Sequence, residues 1–147
     1  MLKLPTKIDN KIILIAPLLL GVYLAVMYPL HIVLLAFISA KFGDSTTNYY
    51  PMLTAFILFI ASIVLAVFLN KLLLKRHLTY DEKLTASLTS NVAFNFTLAL
   101  LIYLIGESLL TSFLSLIILS FSGFFVAALA TVVIEYLEAK YLQFKSN

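Results

Sequence analysis

Three side chains in the apolar stretches of this sequence could do chemistry: His31, Asn91 and Asn95. His31 lies close to the middle of the first stretch, where an imidazole could relay protons, contact a ligand or bind a metal ion. It also follows Pro29 by two residues, so it could instead donate a hydrogen bond to a carbonyl that the proline leaves without its N–H donor. We favour this structural role, because no second His, Cys or acidic residue lies at similar depth to complete a metal site. The sequence therefore predicts no metal ion, no cofactor and no catalytic residue.

Asn91 and Asn95 are four residues apart and share one face of a helix, which Ser87 extends by a further turn. A hydrophilic path or a small-molecule site could use this face. Asn and Ser also join helices to one another, at about 0.6 to 2 kcal/mol per hydrogen bond in membranes. We favour helix–helix contact and keep the site as the alternative.

A second pattern of four-residue spacing, Gly123, Ala127 and Thr131, brings small side chains to one helix face. Such a face lets another helix backbone approach closely, so we predict a helix-packing face here. The partner is either the third helix of the same chain or a neighbouring subunit.

Glu135 continues that face by one turn, at the end of the apolar stretch. Lys71, Lys75 or Arg76 could reach it. We favour a simpler role, an interfacial charge in water, because carboxylates are common at the ends of membrane helices.

The elements that must position these groups are four nearly unbroken apolar stretches. Hydrophobic residues make up 63% of the 147 residues and charged residues 12%, against about 25% charge in a soluble domain. The sequence predicts an all-α fold, a single integral membrane domain over residues 1–147 that forms a four-helix bundle. The expected spans cover about 17–40, 52–74, 84–105 and 109–134, followed by a helical tail over 135–147.

Local signals set several of the expected boundaries. The charge-free run 12–40 would be about 43 Å long as a straight helix, beyond the roughly 30 Å hydrocarbon core, so we expect an interfacial lead-in and a kink near Pro29. Thr79 and Glu82 form a T-x-x-E capping box that starts the third helix. Gly106 to Ser108 leaves room only for a tight outer hairpin between helices three and four.

The positions of the basic residues predict an orientation. If every stretch crosses once, nine of the ten lie on one side and only Lys41 lies on the other, in the loop Lys41 to Tyr50. Because short loops rich in Lys and Arg stay in the cytoplasm, both termini are predicted to be cytoplasmic.

Function is less constrained. No G-x-S-x-G, H-E-x-x-H or phosphate-binding glycine motif occurs, so we do not expect an enzyme. The net charge of +3 is explained by topology, and we expect no nucleic-acid partner. We expect instead an accessory or structural subunit of a complex in the cell membrane, in contact with lipid and with other membrane proteins or itself. The alternative is a small oligomeric transporter or channel whose path is lined by His31 and Asn91/Asn95.

Overall fold

The chain folds into α-helices joined by short connections. The computed structural model describes residues 7–42, 50–106 and 108–146. These residues form the following helices: α1 Lys7–Phe42, α2 Tyr50–Leu74, α3 Tyr80–Leu104 and α4 Leu109–Ser146. The prediction of an all-α fold with four helices is confirmed. The predicted loop Lys41 to Tyr50 lies for the most part outside the described residues, as does Glu107.

Each helix is long and apolar enough to cross a membrane. The segments that meet this requirement are Asn10–Leu34, Leu53–Leu74, Tyr80–Leu104 and Leu116–Phe144. The shortest of them has 22 residues and would measure about 33 Å, slightly more than a hydrocarbon core of roughly 30 Å. The chain therefore has the build of a small multi-pass membrane protein.

Helix α3 is the centre of the bundle. It packs against α1, α2 and α4, whereas α1 and α4 have no close approach to each other within the described residues. The core joins one or two residues from each helix: Ala25, Phe59, Ile63, Phe94, Leu98 and Ala127. Phe59 and Phe94 meet edge to face, with ring centroids 6.0 Å apart. Because α3 has neighbours on three sides, most of the buried polar side chains of the bundle belong to it.

Helices α1 and α3 come unusually close at Gly21. A Cβ atom added there would collide with the carbonyl oxygen of Ser90 and lie 3.0 Å from both the Cβ of Ala93 and the backbone N of Phe94. Since most of these atoms belong to the α3 backbone, only a glycine permits this approach. The contact also shows that the level of Gly21 along α1 matches that of residues 90–94 along α3.

The start of α3 is as predicted. The backbone N–H of Glu82 donates to Thr79 Oγ1 at 3.3 Å, and the backbone N–H of Thr79 donates to Glu82 Oε2 at 2.9 Å. Arg76 adds an ion pair to Glu82 at 2.6 Å. This reciprocal capping satisfies N–H groups that have no partner within the helix.

Candidate functional site

Polar side chains are buried along one side of α3 and on the helices that face it. We call this set the buried polar seam; its members, none more than 2% exposed, are Ser62, Asn70, Lys83, Ser87, Ser90, Asn91, Asn95 and Thr131. Lys83, Ser87, Asn91 and Asn95 follow one another at four-residue steps, so they form one stripe along α3. The stripe therefore runs along about half of α3, from the end where this helix begins.

The seam begins with a cluster of charges at the end of the bundle where α2 stops and α3 starts. The Lys83 ammonium, only 2% exposed, binds Glu135 at 2.9 Å and Glu138 at 2.6 Å. Glu138 also binds Lys71 at 2.6 Å. We call this the charged cluster. It joins α2, α3 and α4 and balances two cations with two carboxylates, which a buried ammonium requires.

The structure assigns Glu135 differently from the sequence-based interpretation. We expected a carboxylate in water, with Lys71, Lys75 or Arg76 as possible partners, and the structure pairs it with Lys83 instead. Lys71 binds Glu138. A signal for Lys83 was present in the sequence, because Lys83 stands one turn before Ser87 on the same face of α3.

Further along, hydroxyl groups connect the helices. Thr131 Oγ1 donates to the carbonyl of Ala127 at 2.8 Å and to Ser87 Oγ at 3.4 Å. Ser90 Oγ donates to the carbonyl of Ser62 at 2.9 Å, which ties α3 to α2. The bond between Thr131 and Ala127 lies within α4, whereas those to Ser87 and Ser62 join two helices and are of the kind that holds helices together in lipid, where no water competes for the same groups.

The structure brings the two predicted polar residues and the predicted packing face together. Asn95 Nδ2 donates to Asn91 Oδ1 at 2.7 Å. The amide of Asn91 lies directly over Gly123, where an added Cβ would be 2.6 Å from its Nδ2 atom and 2.7 Å from its Cγ atom. Ala127 and Thr131 are fully buried. The face formed by Gly123, Ala127 and Thr131 thus packs on α3 of the same chain.

Asn70 has a role that we had expected of a histidine. Pro17 has no N–H, so the carbonyl four residues earlier, that of Ile13, lacks its helical donor. Asn70 Nδ2 donates to this carbonyl at 3.2 Å. The amide side chain of α2 therefore repairs the proline break in α1, and the Asn70 Oδ1 atom remains buried without a partner.

His31 lies apart from the seam. Its side chain is exposed on α1, and the part of the chain that the structure describes contains no hydrogen bond or ion pair to it. His31 is ten residues beyond Gly21, or about 15 Å, which puts it level with about residue 102, close to the end of α3 at Leu104. This level is nearer to the end of α3 than our prediction of a position close to the middle of the first span implies. The described residues also contain no group of three or more His, Asp or Glu side chains placed to hold a metal ion.

Comparison of the chain with protein-family models, with curated proteins and with solved structures finds no match. The class that the fold defines is a small multi-pass membrane protein with four helices. Any narrower function must be argued from the seam and from the outer surface.

Proposed function

We propose that this protein is a small accessory or structural subunit of a larger membrane protein complex. It acts by packing its helix faces against other membrane proteins or another copy of itself, and it is not an enzyme. We further propose that it resides in the plasma membrane with both termini cytoplasmic, the charged cluster at the cytoplasmic side and a tight hairpin between α3 and α4 outside.

The first observation that supports this proposal is that buried polar side chains bond to other groups inside the bundle. Ser87, Ser90, Asn91 and Thr131 are all buried and each bonds another buried group of the bundle. These bonds occupy the polar groups that could otherwise line a hydrophilic path. The bonds from Ser90 to Ser62 and from Thr131 to Ser87 join α3 to α2 and α4, whereas the bond between Asn91 and Asn95 lies within α3.

The second support, which carries the proposal, is the end of α4. The helix continues without a break from Leu109 to Ser146, so Phe144 lies about 9 Å beyond Glu138 of the charged cluster. A headgroup layer is only about 5–8 Å thick on each side of the hydrocarbon core. Phe144 is 86% exposed, and Tyr141 and Leu142 beside it are also exposed. With Glu138 at the edge of the hydrocarbon core, the Phe144 ring lies beyond the headgroups and out of reach of the lipid chains, and we take it, together with the neighbouring Tyr141 and Leu142, as the contact surface for a partner protein.

The transporter alternative has less support. His31 is exposed on α1, whereas Asn91 and Asn95 are buried on α3 and bonded to each other. The three residues share no surface within one copy of the chain, so a path lined by all of them would require an opened bundle.

The test compares Phe144→Ser with Phe144→Leu in tagged protein expressed at its native level. Both proteins are purified in a mild detergent, and the mass of each particle and its co-purifying chains are determined. We expect wild type and Phe144→Leu to retain stoichiometric partner chains and Phe144→Ser to lose them. A homo-oligomer that contains no other chain would instead favour the oligomeric transporter. A wild-type particle of one chain alone would refute the proposal, and so would identical particles from both variants.

A further inference from the structure

A cavity of about 590 Å³ lies between α2, α3 and α4, in the half of the bundle away from the charged cluster. Its walls are mostly aromatic and aliphatic side chains, among them Phe56, Phe59, Phe94, Leu98, Leu119 and Val126. Volumes of roughly 300–1,000 Å³ and a mainly apolar lining with a few polar groups are typical of small-molecule sites. Helices α2 and α4 approach each other only briefly, and the wall residues Leu53 and Phe56 are exposed. The cavity therefore reaches the outer surface of the bundle.

One wall residue carries an unused polar atom. Asn95 lines the cavity and is 0% exposed. Its Nδ2 atom bonds Asn91, but its Oδ1 atom is buried without a hydrogen-bond partner. Ser122, the other polar wall residue, donates its hydroxyl to the carbonyls of Ile118 and Leu119. A buried acceptor without a donor is costly, so an unpaired oxygen in the wall of a cavity calls for an explanation, and a bound molecule that donates a hydrogen bond supplies one.

The depth of Asn95 in the bilayer limits the kinds of molecule that could reach and bind this cavity. Asn95 lies nine residues before Leu104, the last residue of α3, or about 14 Å from that end of the helix. That is near the centre of a hydrocarbon core of roughly 30 Å. A phospholipid acyl chain would fill the cavity at this depth but has no donor to offer. A molecule dissolved in the core with a single hydroxyl group satisfies both the apolar walls and the Asn95 acceptor.

We propose that this cavity binds a membrane-dissolved, largely apolar small molecule whose hydroxyl group donates a hydrogen bond to Asn95 Oδ1. The site depends on the packing of α2, α3 and α4 and not on any partner protein, so it stands or fails separately from the function proposed above.

The chain offers an internal control for this site. A second cavity of about 490 Å³ lies between α1 and α3, with Leu18, Val22 and Phe96 in its wall. None of the residues that line it has a buried polar atom without a partner. The two cavities are similar in size and in apolar character, and of the two only the first has a buried polar atom without a partner in its described wall.

The experiment uses two photoactivatable probes on the full chain in nanodiscs of phosphatidylcholine: octanol carrying a diazirine and octane carrying the same diazirine. Labelled residues are mapped by mass spectrometry. At the walls of the first cavity we expect saturable labelling, with half-saturation at an alcohol concentration about fivefold lower than that of the alkane, the ratio expected for one modest hydrogen bond in a membrane. At the second cavity the two probes should label equally.

Asn95→Leu should remove the preference for the alcohol at the first cavity and leave labelling of the second cavity unchanged. Ala55→Phe, which fills the first cavity from α2 and keeps Asn95, should remove labelling there by both probes. It serves as the independent variant if Asn95→Leu does not fold. Equal labelling by alcohol and alkane in the wild type, or an alcohol preference that persists in Asn95→Leu, overturns the proposal. Absence of labelling of the first cavity by both probes in the wild type also overturns it.

Discussion

The contacts of the charged cluster predict which of its side chains can be replaced with little loss of stability. Lys83 is 2% exposed, whereas Glu135 is 40% exposed and Glu138 retains Lys71 as a second partner. Replacing both carboxylates, in Glu135→Gln/Glu138→Gln, leaves a buried ammonium without an anion, which costs about 3–5 kcal/mol of stability. Lys83→Met removes the buried charge itself and keeps the volume and apolar stem of the side chain. Its cost should be below about 1.5 kcal/mol, the range of volume-conserving changes.

The decisive variant combines all three changes. Because Lys83→Met/Glu135→Gln/Glu138→Gln contains no buried unpaired charge, it should recover most of the stability that the double variant loses, and the three changes should be strongly non-additive. The chain has no cysteine, so dyes can be attached to cysteines introduced at Asp81 and Lys140. Energy transfer between them during titration with sodium dodecyl sulfate then reports separation of α3 from α4. A triple variant as unstable as the double variant, or a Lys83→Met variant as unstable as the double variant, would refute the reasoning.

Two further predictions concern the proline in α1 and the orientation of the chain. Asn70→Leu should destabilise the bundle by about 1–2 kcal/mol in the wild type, since it leaves the Ile13 carbonyl without a donor. The loss should be clearly smaller in a Pro17→Ala background, where a backbone N–H is restored, and equal losses in both backgrounds, measured by detergent titration, would count against this role. For orientation, Ser108→Cys should react with a membrane-impermeant maleimide in intact cells, and Lys140→Cys only after permeabilisation; the reverse pattern would show that the proposed topology is inverted.

Local sequence signals predicted local structure well. The capping box at Thr79 and Glu82 was predicted from four residues and is present, because all the groups involved lie within one turn. The number of helices also followed from the apolar stretches, since only a helix satisfies its backbone groups within a single segment in lipid. Neither prediction required knowledge of which helices touch.

The site was predicted only in part. Spacing put Asn91 and Asn95 on one face, and the structure bonds them to each other. The level of His31 relative to α3 could not be predicted, because the sequence of a 36-residue helix does not show how that helix is shifted along its neighbours. That register is set by Gly21 against α3, a contact we did not anticipate although Gly21 is the one glycine of the first apolar stretch.

The hydrogen bonds near the prolines of α1 were likewise predicted only in part. The sequence shows that Pro17 and Pro29 each leave a carbonyl without its helical donor, but it does not say which side chain supplies one. We expected His31, which is close in sequence to Pro29. The structure uses Asn70, 57 residues away from Ile13, because α2 runs back along α1 and brings the amide to that level.

By itself the sequence determined the class of protein, because hydropathy, charge and capping act within one or two helical turns and need no knowledge of distant residues. It determined that four helices form, that the polar residues of the third share a face, and that small residues of the fourth share another. Only the tertiary structure decided that these two faces meet, that Lys83 is the residue that neutralises Glu135, and that Asn95 borders a cavity with one oxygen unused. Each of these contacts depends on how separate helices are rotated and shifted relative to one another. Shape complementarity at a few close contacts selects that arrangement.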